Sequence, residues 1–182
     1  GTILVIPHQG NWEVIGLWAG QHKAMTSLYD PPRMRTLENW IKTSRQQSGA
    51  TLVPTNVRGV AAIIKALKRG EITGILPDQQ PPPESGEFAN LLGVQTRTMT
   101  LINKLLLRSR SRALMCAALR ISGGWELHFL PVSEDLYSED IETSLAALNS
   151  GVEAIIALAP EQYQWEYKRF RDQPPGVSAA YD

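Results

Sequence analysis

The 182-residue chain has a single cysteine, Cys116, and it contains no uninterrupted apolar run of about 18 residues. One cysteine excludes an internal disulfide framework and a zinc site built on several thiolates, and it suits a reducing compartment. Without a long apolar run, no segment of this sequence is expected to span a bilayer. With 43% hydrophobic and 20% charged residues, the composition excludes a disordered polar tract and fits one globular domain with a full core.

Basic residues are absent from one long stretch of the chain. Residues 121–167 contain nine acidic residues and no lysine or arginine, whereas residues 1–120 contain fifteen basic and seven acidic residues. The basic part would attract an anionic partner, such as a phosphate group, an acidic carrier protein or an anionic membrane surface. Taken alone, this uneven charge distribution is better explained by a solvent-exposed basic face beside a separate acidic face than by a binding site. A nucleic-acid partner is not predicted, because the basic residues are not interleaved with aromatic ones and no recognition motif occurs.

Short apolar runs alternate with amphipathic segments, which predicts an α/β fold of three layers, α/β/α, with a mostly parallel, mixed sheet. The Pro- and Gly-rich segment 77–88 is predicted to be a loop after a buried strand, where α/β proteins place ligands. Predicted strands are 2–6, 24–29, 51–54, 72–76 and a hairpin of 113–119 with 125–131; predicted helices are 12–20, 31–47, 57–68, 98–109 and 140–158.

The sequence His-Gln-Gly-Asn-Trp-Glu, from His8 to Glu13, stands where the first strand becomes the first helix. Five residues within one helix would turn the two side chains about 140° apart. They meet only if His8 precedes the helix and Glu13 reaches back from its first turns, and Gly10 permits the sharp turn that this requires. Glu13 would then accept a proton from one imidazole nitrogen and leave the other nitrogen as a base.

This predicted base has no nucleophile beside it, since no serine of the chain stands in a nucleophile-elbow sequence. The arrangement therefore indicates activation of a substrate hydroxyl rather than covalent catalysis. Backbone N–H groups near Gly10 and Asn11, or a neighbouring arginine, would hold the oxyanion. In the alternative interpretation, which is the more frequent one for an isolated histidine at a strand end, His8 only caps the helix and Glu13 is a surface residue.

The segment from His8 to Glu13 resembles the catalytic His-x4-Asp/Glu motif of the bacterial lipid A biosynthesis acyltransferases, in which H-x-G-N-W-E is characteristic. The similarity covers most of the chain. It extends to the family's lysine-rich helix, its Pro-Asp-Gln loop, its Phe-Gly turn with a threonine-containing helix start, and its C-terminal P-E-Q-Y-x-W signature. The matching segments here are 66–71, 76–79, 92–100 and 160–170.

The resemblance implies an acyltransferase-like fold and transfer of a fatty acyl chain from acyl-carrier protein to a hydroxyl of a lipid A precursor. In this interpretation His8 is the general base and Glu13 orients it. No cofactor and no metal are expected, because a thioester is already activated. The resemblance also implies that residues 1–182 form a single acyltransferase domain without its N-terminal membrane-anchoring segment, located at the cytoplasmic face of the bacterial inner membrane.

Six further residues complete the predicted substrate-binding set. Arg45 and Arg58 would clamp a phosphate of the acceptor, for which guanidinium groups supply paired donors; otherwise they are solvated helix residues. Asp78 would orient an arginine or the acceptor hydroxyl; otherwise it forms a turn after Pro77. The remaining members of the set are Gln79, Gly10 and Asn11.

Three more functions are compatible with these residues. The same base acting on water would make a thioesterase or lipid hydrolase. The other two alternatives are an acyltransferase for a different glycolipid and a non-catalytic domain that binds lipid or acyl-carrier protein. No metal site is predicted, because His8, His22 and His128 do not have the spacing of a metal-binding motif.

Overall fold

The computed structural model describes residues 1–29 and 49–181. They form a six-stranded sheet with the strand order β3-β2-β4-β1-β7-β8, in which all pairings are parallel except that of β7 with β8. A separate antiparallel hairpin consists of β5 and β6. The strands are β1 Thr2–Val5, β2 Met25–Tyr29, β3 Ala50–Pro54, β4 Ile72–Ile75, β5 Gly86–Leu91, β6 Val94–Met99, β7 Arg112–Ile121 and β8 Gly124–Pro131.

Four α-helices lie within the described residues, together with three short 3-10 turns. The mostly parallel, mixed sheet with helices confirms the predicted α/β class. The predicted helix 31–47 lies outside the described residues. The helices are α1 Trp12–His22, α2 Val57–Lys68, α3 Leu101–Ser109 and α4 Ile141–Ile156, and the 3-10 turns are Pro83–Ser85, Glu134–Tyr137 and Pro160–Gln162.

Alternation along the central strand β1 divides the core into two clusters. Ile3 and Val5 belong to the larger cluster, which packs against α2, α3 and α4. Leu4 and Ile6 belong to the smaller cluster, which packs against α1. Because successive strand residues point to opposite faces, the two clusters cover the two faces of the sheet. Among the helices of residues 1–29 and 49–181, none has the length and apolar character needed to cross a bilayer.

The hairpin of β5 and β6 corrects two sequence predictions. The composition of segment 77–88 predicts a loop throughout, but β5 begins at Gly86, and the helix predicted at 98–109 begins only at Leu101. Leu92 and Gly93 have φ values of 52° and 78°, the backbone of a two-residue hairpin turn. This turn folds β6 back along β5, so Thr98 is strand rather than helix.

Candidate functional site

His8 and Asp78 are brought together by the pairing of two central strands. Strand β1 runs parallel to β4, with Val5 opposite Ile75, and the two side chains each follow three residues beyond this pair. In both segments a proline stands two residues after the paired residue. Proline has no N–H and cannot continue the hydrogen-bond ladder of the sheet. The segments after β1 and β4 therefore leave the sheet at the same point, at the carboxyl edge where α/β folds place their ligands.

The Asp78 carboxylate contacts His8 twice. Oδ1 lies 2.8 Å from the ring nitrogen Nδ1, and Oδ2 accepts a hydrogen bond from the backbone N–H of His8 at 2.7 Å. The Asp78 side chain is 2% exposed and that of His8 is 13% exposed. A carboxylate at Nδ1 keeps the proton on that nitrogen and leaves Nε2 with its lone pair. The geometry therefore presents Nε2 as a base.

The carboxylate against Nδ1 of His8 is that of Asp78 rather than the predicted Glu13. Nδ1 lies against Asp78, and the side-chain amide of Gln79 lies beside Nε2. Glu13 occupies the first turn of α1, beyond the turn at Gly10, and lines an apolar cleft. The orienting carboxylate thus comes from the neighbouring strand β4, which the register of the sheet brings to the ring. A catalytic contribution of Glu13 stays a prediction.

Gln79 lies beside the second ring nitrogen of the histidine. Its side-chain nitrogen Nε2 is 3.3 Å from Nε2 of His8. Since Nδ1 carries the ring proton, Nε2 of His8 accepts in this contact and the amide donates. The edge of the Trp12 ring packs near the imidazole, with ring centroids 5.7 Å apart. Asp78 and Gln79 are thus adjacent in sequence and contact opposite nitrogens of the same ring.

The turn after His8 is built on Gly10, whose φ is 61°. The backbone N–H of Gly10 donates to the carbonyl of Gln162, and that of Asn11 donates to the carbonyl of Ala118, both at 2.9 Å. These are the N–H groups that the sequence suggested for an oxyanion site. Both donors already have partners within the protein, so neither of these two N–H groups is open to an oxyanion. The alternative, a neighbouring arginine, stays a prediction.

Of the two predicted phosphate-binding arginines, the structure describes only Arg58, and it does not place Arg58 beside His8. Arg45 lies outside the described residues. Arg58 is exposed in the first turn of α2, after β3, and its backbone N–H donates to Asn56 Oδ1. Strand β3 is separated from β1 by β2 and β4, which places it roughly 14 Å away at a strand spacing of about 4.8 Å. Phosphate binding by either arginine stays a prediction.

A C-terminal segment, residues 160–171, holds both loops of the site. The backbone N–H of Gln164 donates to the carbonyl of His8 at 3.1 Å. On the other loop, the backbone N–H of Gln80 donates to the Tyr167 hydroxyl at 3.0 Å, and Arg171 Nε donates to the Gln80 side chain at 2.7 Å. These contacts were missed by reasoning from the sequence, whose only signal was the resemblance of this segment to the P-E-Q-Y-x-W signature.

Two further groups, the half-buried Tyr163 and the buried Arg169, lie near Asp78. Burial raises the pKa of Tyr163 above its ordinary value, and the nearby Asp78 charge raises it further. Tyr163 therefore stays protonated and does not compete as a base. Burial lowers the pKa of Arg169, opposed by the neighbouring tyrosines and Asp78. The Arg169 guanidinium is fixed by hydrogen bonds to Thr96 Oγ1 and to the carbonyl of Arg97, at 3.0 and 2.7 Å.

An apolar cleft begins beside the histidine motif. Its wall is formed by α1 on one side and by the strands β2, β3 and β4 on the other. Within the part of the chain that the structure describes, no three His, Cys, Asp or Glu side chains come together as a set of metal ligands. The cleft is lined by Ile6, Trp12, Glu13, Gly16, Leu17, Met25, Ser27, Leu28, Ala50, Leu52, Gly74 and Leu76.

Comparison with known proteins points to one family. Residues 1–172 match the family model described as "Bacterial lipid A biosynthesis acyltransferase". The chain is 32% identical over 185 residues to the lipid A biosynthesis lauroyltransferase of Escherichia coli K12, covering 100% of this chain and 60% of the relative. It is 30% identical over 186 residues to the palmitoleoyltransferase of the same organism, covering 100% of this chain and 59% of the relative. The chain thus spans about three-fifths of the length of these relatives.

Proposed function

Because the chain belongs to the bacterial lipid A biosynthesis acyltransferase family, we propose that it carries the site at which a fatty acyl chain is transferred to a hydroxyl of a lipid A precursor. The acyl donor is the thioester of acyl-carrier protein. The observation that carries this proposal is the Asp78–His8 pair, which leaves the lone pair of His8 Nε2 to accept a proton at the carboxyl edge of the sheet.

The reaction proceeds by direct attack. Nε2 of His8 accepts the proton of the acceptor hydroxyl while its oxygen forms a bond to the thioester carbonyl carbon. The carbonyl electron pair moves to oxygen and gives a tetrahedral oxyanion. When this intermediate collapses, the C–S bond breaks and the leaving thiolate takes the proton from the imidazolium. Asp78 stabilises the imidazolium through Nδ1–H. A thioester is already activated, so this chemistry requires no cofactor.

The apolar cleft is the proposed site for the acyl chain. It begins at Trp12 and Glu13, within the histidine motif, and continues between α1 and β4. Its lining is mostly apolar, which suits a fatty acyl chain. Each buried methylene group contributes about 0.8 kcal/mol, so the depth of this cleft would set the preferred chain length.

Gly74 offers a test of the cleft. A Cβ at this position would lie 3.1 Å from Met25 Cε and 3.2 Å from Ile6 Cδ1, the ends of two flexible side chains that line the cleft. We expect Gly74→Val to fill part of the cleft and to lower kcat/KM for the longest accepted thioester by about tenfold relative to one shorter by two to four methylenes. Competition between two acyl thioesters measures this ratio.

Gly124→Val is the matched control, because Gly124 is also a strand glycine and no atom lies within 4 Å of its added Cβ. Its ratio between long and short thioesters is expected to equal that of the wild type. If Gly74→Val lowers the rates for both chain lengths by the same factor, the acyl chain does not occupy this cleft.

The partners and location extend the same proposal. The carrier protein is acidic in this proposal and docks near the site, where Arg120 is exposed at the end of β7 and hydrogen-bonds Gln162 through its backbone. The proposed location is the cytoplasmic face of the inner membrane, whose anionic surface attracts basic residues.

Radiolabelled acyl transfer from acyl-carrier protein to a lipid A precursor tests the function directly. The wild-type protein is expected to form the acylated product, and His8→Ala to lower the rate by about 10²–10⁴-fold through loss of the base. His22→Ala is the control, since His22 is exposed at the end of α1 and bonds the carbonyl of Trp18. Undiminished transfer by His8→Ala would refute the assignment, and release of free fatty acid without acylated product would indicate a thioesterase.

A further inference from the structure

The backbone around His8 leaves no free donor for an oxyanion between residues 8 and 11. The N–H of His8 donates to Asp78, and that of Gln9 donates to the carbonyl of Pro7 at 2.7 Å. The N–H groups of Gly10 and Asn11 donate to the carbonyls of Gln162 and Ala118. These four N–H groups are therefore not open to a negative charge beside Nε2 of His8, whereas a side-chain donor, the amide of Gln79, lies at that nitrogen.

We infer that the side-chain amide of Gln79 donates a hydrogen bond to the oxyanion of the tetrahedral intermediate. The inference rests on the proposed function. Nε2 of Gln79 lies 3.3 Å from Nε2 of His8, and the attacking oxygen must come within about 3 Å of the same nitrogen. The oxyanion and the attacking oxygen are bonded to the same carbon, so the amide is within reach of the atom on which charge develops.

The substrate itself frees this donor. In the structure the amide N–H of Gln79 faces the lone pair of His8 Nε2. An acceptor hydroxyl that gives its proton to His8 must occupy that lone pair, so the amide loses its partner at the moment when an oxyanion forms beside it. A donor whose interaction is made only in the transition state raises kcat rather than lowering KM.

The backbone on both sides of Gln79 is fixed. Asp78 is held by two contacts with His8, and Gln80 is held by the Tyr167 hydroxyl and by Arg171. The amide therefore starts from an anchored main chain, and only its side chain has to shift when the hydroxyl takes the lone pair of His8. A small reorganisation of this kind favours strong electrostatic stabilisation.

Gln79→Met tests the inference, because methionine keeps the length of the side chain and removes the donor. We expect kcat for acyl transfer to fall by about 10²–10³-fold, with KM for the lipid acceptor within about threefold of the wild type. Gln79→Glu, which keeps the shape and also lacks the donor, is expected to lose as much. Gln95→Met is the control, since Gln95 lies on β6 in the separate hairpin.

A second nucleophile separates an oxyanion donor from a group that positions the acceptor. With hydroxylamine in place of the lipid, the same tetrahedral intermediate forms on the acyl thioester, and the rate with Gln79→Met is expected to fall by a similar factor. A decrease in kcat smaller than about tenfold, a loss confined to KM for the lipid, or an unchanged rate with hydroxylamine would overturn the inference. The proposed function fails separately, if the wild-type protein forms no acylated lipid.

Discussion

Asp78→Asn is expected to lower kcat for acyl transfer by about 10⁴-fold while the protein remains folded. The asparagine would retain one oxygen to accept the backbone N–H of His8, which now bonds Asp78 Oδ2 at 2.7 Å. Its NH2 group would then face Nδ1 in place of Oδ1. An amide donor at Nδ1 favours the tautomer with the proton on Nε2, and a protonated Nε2 is no base. The amide also supplies no negative charge for the imidazolium.

Radiolabelled transfer measures this loss, and circular dichroism verifies the fold. Asp172→Asn is the matched control, because Asp172 is 42% exposed and its nearest described cations, on Arg97 and Arg171, are 3.9 Å away. Proton NMR gives an independent readout. The low-field resonance of the His8 Nδ1 proton is expected to vanish in Asp78→Asn and to persist in Glu13→Gln. Activity of Asp78→Asn within about tenfold of the wild type, or loss of the resonance in Glu13→Gln, would contradict this assignment.

His8 and Asp78 differ in how well their roles can be predicted from the sequence. His8 can be identified as a base because its signal is local: an apolar strand, a turn glycine and a helix start lie within a dozen residues. Asp78 can be placed from the sequence only in a loop, without a definite partner, since its contact with His8 spans 70 residues. That contact follows from β4 lying beside β1 in the sheet. Hydrophobic alternation predicts strands, but it does not specify their order.

The missed hairpin has a similar cause. Strand β6 buries Thr96 and Thr98, both polar, so its pattern does not show the alternation of apolar and polar residues that marks a half-buried strand. Their hydroxyl groups contact the guanidinium of Arg169, more than 70 residues downstream in the chain. Because the buried hydroxyl groups of this strand bond a residue that is distant in sequence, the residues near the strand do not predict it. Helix α2, by contrast, has a capping Asn56 and an apolar stripe, and the sequence predicts its observed bounds.

Gly10→Ala is expected to reduce the free energy of unfolding by about 3 kcal/mol and acyl transfer by about 100-fold or more. A φ of 61° costs an alanine roughly 1–2 kcal/mol. Its Cβ would also overlap the carbonyl oxygen of Ala118 and lie 3.2 Å from Leu119 Cα. Both contacts are backbone atoms of β7, which is paired on both sides. The turn must shift instead. This shift would weaken the hydrogen bond from the Asn11 N–H to the Ala118 carbonyl, at a cost of about 1–3 kcal/mol in stability.

Gly123→Ala separates the two contributions to this loss. Gly123 has a φ of 83° in the turn between β7 and β8, but nothing lies within 4 Å of an added Cβ. Its alanine variant therefore carries only the backbone cost of roughly 1–2 kcal/mol and is expected to keep full activity. Urea unfolding and radiolabelled transfer measure both variants. Because His8 is two residues from Gly10, a displaced turn moves the base, and a misplacement near 1 Å costs about 10²-fold in rate. Equal stability and equal activity of the two variants would show that the turn tolerates a side chain and does not position His8.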